Sequence, residues 1–424
     1  MKIGLYLNNR KVGDVDLSNP EKGNPGIGGT QFNFITLPYY FQKYFPNKHN
    51  FIIYAHNISK LPETLKGKAI SNSIDALKHA NQDKCDIMIW RPNNEEESIE
   101  FIQLSSKLNQ KTIAWAHNNP NITTLNKIAN ANNIKRFVCV SQEQMDRLRD
   151  HPIILKTTVI VNGFNISGIE PVSIVPKEKI VLYTGSLVPP KGFHVLSRIW
   201  PKIINLHPDA KLKVIGTGKL YDRNQKLGPW GIAEEKYEKQ IRYYLSDGKG
   251  NIHPSVLFLG LISNDRKNEE ITNCKVGVVN PTGKTENCPG SALEFQAFGK
   301  PVVSGAFKGL LDTIVHCKTG YLGKNDEDLI KYISELLVDN EKNLTFGRNG
   351  RKFVSEKFSF SKVTKLWSSL FSEVYLNIEN KIPNISQFPL NDMKYLRELM
   401  RILKSNFTAF RYIPSLKEIG EKYW

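Results

Sequence analysis

Cysteine is scarce in this chain, and long apolar runs are missing. Five cysteines (Cys85, Cys139, Cys274, Cys288, Cys317) are scattered through 424 residues, are odd in number and form no Cys-x-x-Cys pair. That pattern argues against a disulfide framework or a zinc site and fits a reducing, cytoplasmic setting. The apolar start of MKIGLYLNNRK is too short for a signal peptide, and no stretch approaches the roughly 18 residues that would span a bilayer. Internal repeats and low-complexity tracts are absent as well. The expectation is a soluble globular chain with material for two or three domains and a real core.

Acidic residues are the other shortage. There are 58 Lys+Arg against 41 Asp+Glu, a formal charge of +17. Such a balance attracts nucleic acid, an anionic membrane or phosphorylated substrates, or it is a solvated basic surface. Composition does not choose among these, but no recognised nucleic-acid motif is present.

What the sequence does contain is alternation. The runs KIGLYL, FIIYA, DIMIW, KTIAWA, FVCV and TVIV fill the first 160 or so residues; KIVLYT, KLKVIG, SVLFLG, KVGVV and PVV fill the next stretch. Continuous apolar strands separated by amphipathic helical stretches mean parallel sheets covered on both faces. The polar stretch Asn165–Lys179 divides the two series. The reading is an α/β chain of two doubly wound, Rossmann-like domains, residues 1–165 and 166–355, facing across a cleft. Residues 356–424 add a helix returning to the first domain and a basic tail. A long polar insertion, Tyr221–Ser255, interrupts the second series; connections of that length are usually functional or mobile.

The stretch TENCPGSALEFQAFGKPVVSG, Thr285–Gly305, carries two glutamates around a helix-start signal. Ser291, after Pro289-Gly290, is the candidate N-cap, and Glu294 then stands at the third helical position. A helix start offers unpaired N–H groups and partial positive charge to a phosphate, and Glu294 can accept from ligand hydroxyls. The alternative for Glu294 is a capping box, Ser-x-x-Glu; for Glu286, a solvated loop acid. TGSLVPPKGFHVLSRIW follows the strand KIVLY, so Gly185, Ser186 and Lys191 stand on a turn that can face an anion. In NPGIGGTQFNFITLPYYF, Gly28 and Gly29 permit close backbone approach and Thr30 is a candidate cap. That stretch is not Gly-x-Gly-x-x-Gly, so a dinucleotide cofactor is not expected. His117 ends the strand IAWA, where doubly wound sheets present functional groups; VNGFN, with Asn162-Gly163, reads as a tight turn. Asp14-x-Asp16 and Asp326-x-Asp328 could bind a divalent ion beside a diphosphate, but both sit in surface contexts and no metal site is assigned.

In this order the motifs resemble the retaining glycosyltransferases of GT-B fold, family four of their classification, over about residues 1–377. The resemblance implies a second domain that binds a nucleotide sugar, UDP- or GDP-linked, with no further cofactor. It implies that Glu294 holds the ribose hydroxyls, that Glu286 contacts the donor sugar near its reacting carbon, and that Gly290 and Ser291 face the diphosphate. Lys191 would neutralise that leaving group, Gly185 and Ser186 would line the donor site, Gly28 and Gly29 would close on the donor, and His117 would lie near the transferred sugar. Many family members carry arginine where this chain has Ser186, so the diphosphate here would lack its second cation. The implied activity is metal-independent transfer of a hexose or N-acetylhexosamine to a glycan or lipid-linked glycan, in lipopolysaccharide or capsule synthesis. Competing readings are a sugar-nucleotide epimerase of similar fold and a non-enzymatic polyanion-binding protein. The tail NDMKYLRELMRILKSNFTAFRYI sets Met393, Leu396, Leu399, Met400, Leu403, Phe407 and Phe410 on one helical face, flanked by Lys394, Arg397, Arg401 and Lys404. It is either packed on the first domain or lies on anionic lipid at the inner face of the cell membrane.

Overall fold

The computed structural model describes residues 1–220, 224–282 and 285–423. Its chain divides into two compact units: residues 1–20, 30–163 and 360–424 form the first, residues 21–29 and 164–359 the second.

The first unit is built on seven strands: β1 (Lys2–Leu7), β2 (Asn50–Ala55), β3 (Lys66–Ala69), β4 (Ile87–Trp90), β5 (Thr112–Ala116), β6 (Ile134–Cys139) and β7 (Thr157–Val159). Their order is β3-β2-β1-β4-β5-β6-β7, and every pair is parallel. Strand β1 is buried from Ile3 to Leu7, and β4 and β5 are buried throughout, as expected of strands covered on both faces. The helix Phe360–Tyr375 belongs to this unit: Trp367 meets Trp115 edge-on at 4.9 Å, and Phe371 packs 5.7 Å from Phe41.

The second unit has six parallel strands: β8 (Ile180–Thr184), β9 (Lys211–Ile215), β10 (Val256–Gly260), β11 (Val276–Val279), β12 (Val302–Gly305) and β13 (Gly320–Gly323). Their order is β10-β9-β8-β11-β12-β13. Along β8, Val181 and Tyr183 enter one buried cluster while Ile180 and Leu182 enter another. Side chains alternate across a strand, so helices cover both faces. Both units thus have the Rossmann-like topology expected, and each reverses its strand order once, at β1/β4 and at β8/β11.

Three local expectations need correction. The insertion Tyr221–Ser255, which begins outside the described residues, is not a structureless loop. It carries the helix Glu235–Leu245, with Tyr237, Ile241 and Leu245 in the same core cluster as Ile199 and Ile203. Charged residues cover its outer side, which is why the segment reads as polar. The pair Asn162-Gly163 is more than a turn. A Cβ on Gly163 would lie 2.2 Å from the Phe360 ring, so only glycine lets that ring cover the backbone.

The third correction concerns the tail helix, Asp392–Asn406. Its cations turn inward. Lys394 is fully buried and donates to the carbonyls of Gln387 and Pro389; Arg397 pairs with Asp150 at 2.7 Å, and Lys404 donates to the Asp150 carbonyl at 2.9 Å. Leu399 is 53% exposed and Phe407 55%, and Met393, Leu396 and Ile402 are exposed too. The apolar side faces out because the surface under the helix is acidic: Asp146, Asp150 and the Glu398–Arg149 pair form a buried ionic layer. No helix among the described residues is long and apolar enough to cross a membrane.

Candidate active site

In the second unit the strands β8 and β11 are neighbours in register, Val276 beside Val181 and Val278 beside Tyr183. Their carboxyl ends release two loops side by side at the point where strand order reverses, the usual ligand position in such sheets. The first loop runs into a short turn, Pro189–Lys191, and then the helix Phe193–Leu206. Gly192 makes this sharp entry possible: its φ is +73°, and a Cβ there would press on Thr282 at 2.8 Å. The second loop is tied to the first. Asn280 Nδ2 and Thr285 Oγ1 both donate to the Pro190 carbonyl, at 3.2 and 3.0 Å.

This lacing brings Lys191 and Glu286 together. The Lys191 ammonium pairs with Glu286 Oε1, and both side chains are largely but not wholly buried. Asn280 Nδ2 adds a longer contact to the same oxygen, 3.4 Å. The Tyr183 hydroxyl holds the backbone of Lys191 by donating to its carbonyl at 2.9 Å. A lysine and a carboxylate 95 residues apart in sequence therefore form one charged centre.

The helix after Glu286 differs from the expectation. It spans Gly290–Ala297, with Pro289 in the cap position and no side-chain cap hydrogen bond. Ser291 is thus the second helical residue and not the N-cap, because the backbone is still extended at Pro289 (ψ 115°) and turns helical from Gly290. Glu294 becomes the fifth helical residue, one turn in, so the capping box does not form. Its carboxylate instead meets Lys267 Nζ at 2.7 Å, with both side chains under 20% exposed. An uncapped helix start beside Lys191 leaves N–H groups and partial positive charge for an anion.

Ser186 is buried, and its hydroxyl donates to the Thr217 carbonyl at 3.2 Å; the Gly185 amide donates to the Ile215 carbonyl at 3.0 Å. Together they pin the β8 loop to the end of β9 and to the loop after it. Gly28 and Gly29 lie on the segment 21–29, which is shaped by Asn24: its Oδ1 accepts from the Gly26 and Ile27 amides at 3.0 and 2.9 Å. Gly26 faces Leu261, in the loop after β10. The following helix, Gly29–Tyr44, starts at Gly29, so Thr30 sits inside its first turn instead of capping it.

His117 belongs to the first unit, immediately after β5, and is buried between Trp115 (4.8 Å) and Phe34 (5.8 Å). Burial, and then the charge of Arg91, push its pKa down to about 3, against contacts with Asn162 and Trp115 that work the other way. It is a neutral imidazole at neutral pH. Of the Asp-x-Asp pairs, Asp326 is spent on Arg198 at 2.7 and 2.8 Å, which holds its carboxyl below the usual range. Among the described residues no cluster of three or more His, Cys, Asp or Glu is placed for a metal ion.

Sequence reasoning missed Lys267 and Asn280. Asn280 directly follows β11 with a left-handed φ of +35°, and its position at a strand's carboxyl end was the available signal. Lys267 stands on the helix Asn264–Asn273 after β10 and carries no such mark.

Residues 169–353 match the family described as Glycosyl transferases group 1. Over this stretch, less than half of its length, the chain is similar to that family. The match covers the site just described from β8 through the helix Gly290–Ala297. An uncharacterized glycosyltransferase of Methanocaldococcus jannaschii is 27% identical over 229 residues, 50% of this chain and 52% of its own. A capsular polysaccharide biosynthesis glycosyltransferase of Staphylococcus aureus, CapM, is 27% identical over 204 residues, 48% of either chain. The chain spans about half the length of both relatives. Among solved structures, HepE of Anabaena in complex with UDP-glucose superposes with a TM-score of 0.60, covering 88% of this chain and 100% of its own. At 16% identity that likeness is one of fold. The chain therefore has the GT-B fold, two Rossmann-like domains.

Proposed function

We propose that the chain is a retaining transferase that moves a hexosyl or N-acetylhexosaminyl group from a nucleotide sugar to a glycan acceptor. The observation that carries this reading is the Lys191–Glu286 pair beside an uncapped helix start at the strand switch. Glycosyl transfer breaks the bond between the sugar's anomeric carbon and the diphosphate and makes a new one to an acceptor hydroxyl. Negative charge grows on the departing diphosphate and positive charge on the sugar. Fixed groups aimed at those charges lower the barrier without reorganising.

In this reading Lys191 and the amides of Gly290 and Ser291 take the diphosphate, the work a metal ion does in other transferases. Glu286 then lies at the sugar, and its ion pair with Lys191 keeps both groups oriented before the donor arrives. Glu294 accepts from the ribose hydroxyls, with Lys267 holding its carboxylate. Ser186 supplies no charge, so Lys191 is the principal side-chain cation of the site. The diphosphate is nucleoside-linked, UDP or GDP, in keeping with the UDP-glucose bound by HepE. A surface glycan such as capsule or lipopolysaccharide is the acceptor, in keeping with the similarity to CapM, a capsular polysaccharide biosynthesis glycosyltransferase. A lipid-linked acceptor would also suit the tail helix, whose exposed apolar side can rest on a cytoplasmic membrane face.

A nucleotide-release screen across UDP-, GDP- and ADP-sugars tests the reading. Release from one donor class, stimulated by a glycan acceptor and lost in Lys191→Ala, is expected. Conversion of a nucleotide sugar with no release of nucleotide would make the protein an epimerase.

A further inference from the structure

Asn280 is a buried polar residue of the candidate site to which the transferase mechanism gives no task. It directly follows β11 and is 2% exposed. Its φ of +35° lies in the left-handed region, which asparagine tolerates better than most residues. The backbone there is anchored from the neighbouring strand. The Asn280 carbonyl accepts from the Ser304 hydroxyl at 3.1 Å and from the Gly305 amide at 3.4 Å, both on β12.

The side-chain amide has one workable orientation. The Thr282 hydroxyl donates to Oδ1 at 2.8 Å, which turns Nδ2 towards the loop that carries Lys191. Nδ2 lies 3.2 Å from the Pro190 carbonyl, 3.5 Å from Thr285 Oγ1 and 3.4 Å from Glu286 Oε1. A carbonyl and a carboxylate can only accept, so the nitrogen must face them. Thr285 holds the Pro190 carbonyl as well, at 3.0 Å. The two loops are thus laced without Asn280 too. What Asn280 adds is a second donor on Glu286 Oε1.

That donor differs in kind from the first. Lys191 Nζ pairs with the same oxygen, but in the transferase mechanism its ammonium also serves the diphosphate. As the leaving group gains negative charge, it draws the ammonium towards itself. Glu286 would then lose its charged partner at the moment positive charge grows on the sugar. An amide carries no net charge for the phosphates to pull on, and its other groups are tied elsewhere. Its contact with Oε1 is long while Lys191 claims that oxygen, and such contacts tighten in the reacting complex. We infer that Asn280 is a positioning residue, which holds the Glu286 carboxylate at the sugar once the diphosphate has engaged Lys191. This role rests on the transferase reading above and gives Asn280 no contact with the donor.

The test is steady-state kinetics with the donor found by the release screen, alongside nucleotide titration, on the full chain. Asn280→Gly removes the amide and keeps the left-handed backbone. It should lower kcat by about ten-fold or more, the scale of a hydrogen bond to a charged group. The donor KM and the nucleotide Kd should stay within about three-fold, since no donor contact is lost. In the Glu286→Ala background the same change should cost less than about two-fold, because nothing is left to position. Asn280→Asp keeps the shape, the Oδ1 acceptor and the left-handed backbone, but turns a carboxylate oxygen towards Glu286. Its kcat should fall at least as far as that of Asn280→Gly. A loss carried by KM instead of kcat, or an undiminished second loss in the Glu286→Ala background, would make Asn280 merely structural and overturn the inference. Wild-type kcat in either single variant would overturn it as well. Should Asn280→Gly fail to fold, Asn280→Asp decides by the same criteria, alone and in the Glu286→Ala background. The two readings fail distinguishably. A wild-type chain that turns over no nucleotide sugar ends the transferase reading and this role with it. Wild-type turnover with indifferent Asn280 variants ends this role alone.

Discussion

The two units share a plan and differ in how they treat charge. Each is a parallel sheet whose order reverses once, and each gathers polar groups at that reversal. In the second unit those groups arrive already paired, Lys191 with Glu286 and Lys267 with Glu294. In the first unit the corresponding place is lined by the buried rings of Phe34 and Trp90 and by the exposed Arg91, which forms no ion pair among the described residues, with a neutral buried histidine nearby. Paired charges suit a ligand that brings its own strong charge and must be released again, because the pair re-forms when the site empties.

Breaking the second unit's central pair should have the largest effect. Lys191→Ala removes the main side-chain cation from the leaving group, and turnover should fall by about a hundred-fold or more, comparable to the loss of one oxyanion donor. An arginine at Ser186 is not expected to compensate, since Ser186 is buried and bound to Thr217. Normal donor turnover by Lys191→Ala would mean that another basic group holds the phosphates.

The outer pair should matter less. Glu294→Ala should weaken nucleotide binding by roughly ten-fold, the scale of a hydrogen bond to a charged group, while kcat changes little. Lys267→Met should follow in the same direction, and titration of the free nucleotide reads both. Unchanged affinity in Glu294→Ala would leave the Glu294–Lys267 contact as a structural ion pair only.

Acid should strike the first unit harder. Burial lowers the pKa of His49 to about 4, His151 to about 4 and His117 to about 3, and all three belong to that unit. An unfolded histidine titrates near 6.5, so as pH falls the unfolded chain takes up protons that the folded chain refuses. The stability these groups protect is fully present above about pH 6.5 and drains away toward pH 4 and below. Hydrogen exchange at pH 7.5 and pH 5 should show protection falling more in residues 30–163 than in residues 164–359. An equal loss in both would remove histidine burial as the cause.

The smallest effect on folding, with a sharp effect on location, belongs to the tail. Leu399 and Ile402 are exposed, so Leu399→Glu with Ile402→Glu should shift stability by no more than about 0.5 kcal/mol each. If the helix rests on lipid, wild-type protein sediments with vesicles and this variant does not. Because Lys394, Arg397 and Lys404 are engaged inside the protein, salt should release the wild type only weakly. Complete release by salt would mean that other cations hold the membrane.

The contrast between the units also explains what could be read from the sequence. Buried parallel strands are continuous apolar runs, and eleven of them stood out. The two that escaped are edge strands paired on one side only. β3 is Lys-Gly-Lys-Ala, and two of the four residues of β13 are glycine. The candidate donor-side residues stood out in the sequence because Glu286, Gly290, Ser291 and Glu294 lie within nine consecutive positions. Their partners did not. Lys267 reaches Glu294 only because the helix after β10 passes beside the helix Gly290–Ala297, which no local pattern encodes. The misplaced cap at Ser291 and the inverted tail have one physical origin. Local preference was read correctly, but a neighbouring backbone or an acidic surface decided the outcome.

The central claim is that Glu286 acts on the transferred sugar and not on the nucleotide. Its most direct test is to measure turnover and nucleotide affinity side by side in the wild type and in Glu286→Ala, using the donor found by the release screen. The account predicts turnover reduced by about a hundred-fold or more, with nucleotide affinity within about three-fold and an unchanged melting midpoint. Wild-type turnover, or a loss confined to nucleotide affinity, would contradict it.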